Sequence, residues 1–314
     1  MTPTSTSNMN RATALLDRKP WSGLLAFVLV FLSMPLGHAL MASIEYIWSD
    51  GHTYAAAIAV GAVGFALLAL TRYAQSRETV ATLAGFLAAI LIWTGWVEFA
   101  FVHTSNELSI PDLMHKGKIA TKAEYLLMPS SIGLLAAGLI FFLFKRDTRC
   151  GFFRFGQKVM RLPPAPSPSN QDPAATTFIE TIFLIWCFYL VLLVLYNPKL
   201  VGDRHWMTAG FGLFCFVWWL YLFGRLLRHA RLSAAIRYAI PTVVIFWNCV
   251  EILGRWDLLH EIWIEPYHYV KEMIFLALAF VLSIVLVVMW SRRDKPDRAD
   301  SRHPLGRPRA FPDV

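Results

Sequence analysis

The sequence predicts an all-α fold: a polytopic membrane protein with eight transmembrane helices, built as two parallel four-helix repeats. Three observations predict it. Eight apolar runs are long enough to cross a bilayer, Lys and Arg collect in alternate connections, and a set of polar landmarks recurs in the second half. Composition agrees, since 56% of the 314 residues are hydrophobic and 16% charged, against about a quarter charged in soluble domains. One globule of this length cannot hide so much apolar surface, so lipid must cover it. The lipid bilayer is therefore the first partner.

Crossing the hydrocarbon takes roughly 20 mostly apolar residues in a helix. The runs that qualify are 21–47, 54–73, 79–102, 124–145, 177–197, 206–227, 233–254 and 268–291. The run 233–254 is the most polar, with Arg237 and Glu251 near its ends and Pro241 between them. A proline there removes a backbone donor and predicts a kink. Arg11, Arg18 and Lys19 precede the first run in the manner of a signal peptide. The run is too long for an h-region and no clear A-x-A site follows, so it reads as a retained span.

The resulting organisation is a cytoplasmic segment over 1–20, a first repeat over 21–146, a cytoplasmic linker over 147–176, a second repeat over 177–291 and a disordered cytoplasmic tail over 292–314. Within the linker, residues 150–161 mix Phe152, Phe153 and Phe155 with Arg154, Lys158 and Arg161, which suits a short helix at the lipid surface. The Pro-rich stretch 163–173 reads as an extended or disordered linker.

Charge sets the orientation. Lys and Arg crowd the N-terminus, the turns after the second and sixth runs, the linker and the tail. The alternate connections hold only Lys116, Lys118, Lys122, Lys199, Arg204, Arg255 and Lys271. By the positive-inside rule both termini are cytoplasmic, and the setting is a bacterial inner membrane. The net charge of +8 then serves topology, and nucleic acid is not a partner. Cys150, Cys187, Cys215 and Cys249 show no CxxC spacing and read as small packing residues. The sequence lacks HExxH, P-loop, GxSxG and GxGxxG patterns.

Sliding the chain on itself lays residues 49–100 over 202–253 without a gap. Asp50-x-His52 falls on Asp203-x-His205, Arg72 on Arg225, and Val97-Glu98 on Val250-Glu251. A short deletion also brings Glu124 onto Glu272. Four helices per half is an even number, so the halves are parallel repeats rather than inverted ones.

These recurrences place His52, Glu98 and Glu124 at the outer end of the first half, and His205, Glu251 and Glu272 at that of the second. Imidazole with carboxylate oxygens is a ligand set for a divalent metal, and these six residues are the candidate metal ligands. Haem is the second cofactor class, with His52 and His205 as axial ligands across the axis relating the halves. A purely structural account also covers the pattern. Asp50 and Asp203 stand where helix N-caps belong, and Glu98 and Glu251 have Lys122, Arg255 and Lys271 as prospective partners. His38 has no equivalent, since Val191 occupies the matching position, and reads as a packing residue.

Three functions follow: binding or transport of a metal ion or small polar ligand from the periplasmic face; a metal- or haem-dependent oxidoreductase acting on quinone or lipid; or a non-catalytic subunit or assembly factor of a membrane complex. The first leads, and whether the chain is an enzyme stays open. Copies of itself or the subunits of such a complex are the protein partners these readings imply.

Overall fold

The computed structural model describes residues 19–48, 51–73, 77–115, 118–145, 148, 151–163 and 172–292. Among these described residues are eight helices long and apolar enough to cross a membrane. They are α1 (Trp21–Ile47), α2 (Thr53–Tyr73), α3 (Glu78–Glu107), α4 (Ala123–Phe144), α6 (Pro173–Tyr196), α7 (Trp206–Leu226), α8 (Leu232–Arg255) and α9 (Val270–Ser291). A ninth, short helix, α5 (Gly151–Val159), follows α4. Each of the eight expected runs forms such a helix, with shifted ends. α6 starts earlier than hydropathy suggests because Asp172 caps it, accepting from the Ala174 amide at 2.9 Å, and Pro173 occupies the first turn.

The helices divide into interior and peripheral sets. The apolar windows of α8 and α3 are 72% and 61% buried, against 11% for α7 and 17% for α2. α1 packs on α8, α6 packs on α3, and the two interior helices touch each other. α2 lies along α3 and α7 along α8. The core at this junction includes Leu29 and Val30 of α1, Phe86 of α3, Leu184 of α6, and Ile236 and Ile245 of α8. Outward faces stay apolar: Val63, Leu134, Leu213, Phe214, Phe275 and Leu278 are all exposed. Such a surface is consistent with a multi-pass membrane protein, in which lipid tails take the place of a second protein layer.

Close crossings depend on glycine. A Cβ on Gly95 would lie 2.5 Å from the Gly61 backbone nitrogen, and one on Gly85 would lie 2.2 Å from the Ala174 carbonyl oxygen. Helices meeting in lipid associate by such close packing, because hydrophobic burial adds little between them.

Several details differ from expectation. Between α3 and α4 the chain forms a small antiparallel hairpin, β1 (Leu113–His115) with β2 (Lys118–Thr121). Helix α5, expected at a lipid surface, packs against the bundle. It turns Phe153 inward against Phe142 and Phe183, and stacks Phe152 edge-on against Phe188. Pro241 lies inside α8. Asp50, Cys150, residues 164–171 and the tail from 293 onward lie outside the described residues.

Candidate functional site

A π-turn shapes the middle of α3. Residues Trp93–Glu98 wind more widely than an α-helix, a feature common at functional sites. It brings Trp93, five residues before Glu98, one turn beneath it. The Trp93 indole Nε1 then donates to Glu98 Oε1 at 3.0 Å. In α8 the winding is α-helical, and Trp247, four residues before Glu251, donates to Glu251 Oε1 at 2.7 Å. Two interior helices thus each carry a carboxylate held by an indole. Glu98 is 5% exposed, and the two acids lie within electrostatic reach of each other.

Aromatic rings and a histidine surround the pair. The His38 ring of α1 stacks on Trp247 at 5.8 Å between centroids, and its Nε2 lies 3.5 Å from Glu251 Oε1. Trp263, in the α8–α9 connection, packs against Trp247 at 5.0 Å between centroids. Tyr189 of α6 stands 6.1 Å from Trp93 and 5.6 Å from Tyr125 of α4, centroid to centroid. Helices from both halves therefore meet around Glu98 and Glu251.

The cations sit further out. Lys122 Nζ lies 3.7 Å from Glu45 and 3.9 Å from Glu124. Asp112 accepts from the Ala123 amide at 2.8 Å, fixing the entry to α4. Among the described residues no cation pairs with Glu98, so its partner is the indole, not Lys122. Arg255 turns from Glu251 to Asp203, 3.9 Å from its Nε, and lies over the Tyr196 ring. Glu261, half-buried in the α8–α9 connection, has its pKa pushed up to about 7, first by burial, then by Glu251, with Arg255 opposing. Gly254 faces it so closely that a Cβ would lie 2.4 Å from the Glu261 carboxyl carbon.

The six candidate ligands separate. Glu98 and Glu124 are buried, and Glu251 is half-buried inside the bundle. His52, His205 and Glu272 are exposed at helix ends. His205 caps α7, its Nδ1 accepting from the Met207 amide at 3.3 Å, so it performs the task expected of Asp203. Among the described residues, no three or more His, Cys, Asp or Glu side chains form a group that could hold a metal ion. His38, set aside for want of an equivalent, proves to be the imidazole beside Glu251.

A second polar cluster lies at the opposite end of the bundle. Arg237 Nη2 is 2.9 Å from Glu78, and Nη1 is 3.2 Å from Thr82 Oγ1. Arg237 also lines a cleft with Thr177, Glu180, Thr181, Leu184, Ile240 and Pro241. Glu180 is buried and accepts from the Thr148 hydroxyl. The signal for this cluster was a carboxylate and a guanidinium inside otherwise apolar runs, where isolated charge is costly. It ties α3, α6 and α8 together. Comparison with protein-family models, characterised proteins and solved structures finds no match for this chain.

Proposed function

We propose that this chain is a multi-pass inner-membrane protein that binds a small cation, the proton included, between Glu98 and Glu251, and that it serves transport or uptake at the periplasmic face. One observation carries the reading: two carboxylates inside the bundle, each held by a tryptophan of its own helix, with no Lys or Arg paired to either among the described residues. An ionised carboxylate in a membrane interior is costly without a counter-charge. A bound cation or proton supplies it, and the neighbouring indole and phenol faces favour positive charge as well.

The same reading takes the halves as two parallel repeats, and the packing is in keeping with that. Partners exchange in the way a twofold axis along the membrane normal would require: α1 packs on α8 as α6 packs on α3, and α2 on α3 as α7 on α8. The π-turn supports it too, since the extra residue between Trp93 and Glu98 is taken up by wider winding and the Trp–Glu bond comes out alike in both halves. Orientation rests on charge: the arginine-bearing turns lie at the end away from Glu98 and Glu251. His52, His205 and Glu272, exposed at the helix mouths, belong to the approach from outside.

Tryptophan emission tests the reading, because Trp93 and Trp247 donate to the two acids. Purified protein is titrated with Na+, K+, Mg2+, Zn2+ and, separately, across pH 5 to 9. The expected result is a saturable emission change with at least one of these cations, lost in Glu98→Gln/Glu251→Gln. An unresponsive wild type, or a double variant responding like wild type, would sink the proposal.

A further inference from the structure

Helix α5 and the end of α7 converge on a strongly basic patch. On α7, Phe214, Trp218, Tyr221 and Arg225 follow one another at helical spacing and share one face. The Phe214 ring stands 5.3 Å from Trp218, tilted against it, and Phe155 of α5 stands 5.9 Å from the same Trp218 ring. Phe155, Phe214 and Tyr221 are exposed. This makes an open aromatic wall between the two helices.

Above the wall the chemistry turns basic. Arg225 Nη1 donates to the Tyr221 hydroxyl at 2.9 Å, which leaves the phenol proton free to be donated outward. Lys158, one turn beyond Phe155 on α5, and Arg228 lie within electrostatic reach of the same hydroxyl. None of Lys158, Arg225 and Arg228 is paired with an acid among the described residues. His229 registers the local field, its proton affinity lowered first by burial and then by Arg225 and Lys19.

We infer that this junction is a binding site for the headgroup of an anionic glycerophospholipid. Lys158, Arg225 and Arg228 take the phosphate, the Tyr221 hydroxyl donates to one of its oxygens, and one acyl chain lies along Phe155, Trp218 and Phe214. Charge complementarity argues for this occupant: cations without an acid partner among the described residues surround a hydroxyl that keeps its proton to donate, at the very point where an apolar wall ends. Guanidinium and ammonium groups are the usual phosphate partners, and clustered basic residues at a span's end attract anionic lipid. The site is separate from Glu98 and Glu251 and stands whether or not a cation binds there.

Quenching by brominated lipid tests it. Wild-type protein and Trp218→Phe are placed in phosphatidylcholine vesicles containing increasing brominated phosphatidylglycerol, and in the converse mixture; the difference between them isolates Trp218. The site predicts a preference for phosphatidylglycerol on the order of tenfold at Trp218. Lys158→Gln/Arg225→Gln/Arg228→Gln should bring the ratio close to one, while Lys199→Gln/Lys271→Gln leaves it unchanged. If the triple variant fails to fold, Lys158→Gln should lower the preference and Lys158→Arg should keep it. Equal quenching by both lipids in wild type would overturn the inference. So would an equal fall in the Lys199 and Lys271 variant, or displacement of the lipid by millimolar inorganic phosphate, which would mark a soluble-phosphate site.

Discussion

Glu98 owes its position to one hydrogen bond and one unusual helical turn. Replacing it with Gln keeps an acceptor for the Trp93 indole; replacing it with Ala leaves that buried donor without one. Glu98→Ala should therefore cost about 1–3 kcal/mol and lower the apparent Tm, while Glu98→Gln stays close to wild type in stability and loses only cation response. Equal destabilisation by both would show that the carboxylate's charge, and not its hydrogen bond, matters for folding. Glu261 offers a pH test. Its folded pKa of about 7 stands above the usual 4.5, so the folded state binds the proton more tightly than the unfolded one. That contribution is fully present below about pH 4.5 and is lost as pH rises through 7. Apparent Tm should fall between pH 5 and 8, and the fall should shrink in Glu261→Gln. An identical pH profile in that variant would refute the assignment. At this scale the sequence was only partly legible. Glu98 and Glu251 stood out as charges inside apolar runs, whereas His38 did not. Its role depends on stacking against Trp247 of a helix more than 200 residues away, and no local pattern records that.

The helices themselves were largely readable, because spanning a bilayer demands a long apolar run and leaves few alternatives. What hydropathy does not carry is winding and close approach. The π-turn at Trp93–Glu98 shifts register by a residue without altering composition. The hairpin of β1 and β2 is too short to show alternation. Close crossings give a direct prediction: Gly85→Ala and Gly95→Ala each drive a methyl into a neighbouring backbone and should destabilise by about 1–3 kcal/mol. Gly210→Ala on α7, where a Cβ meets nothing within 4 Å, should be neutral or slightly stabilising. Thermal unfolding in detergent distinguishes them, and similar Tm values for all three would contradict the packing described.

At the scale of the whole molecule, orientation is the claim to check. Cysteines introduced at Ser49 and Gly202 should react with a membrane-impermeant maleimide in intact cells, and one at Arg228 only in inverted vesicles. Labelling of either outer position from the cytosolic side alone would separate the two halves and remove the shared site. A deeper consequence lies in how the interior helices choose partners. α1 leans on α8 and α6 on α3, so the main core is shared between the halves; each completes the other, as two interlocked hands do. A chain cut between residues 164 and 171 should thus yield fragments that are degraded when made singly. Made together, they should reassemble into a stoichiometric pair in the bilayer.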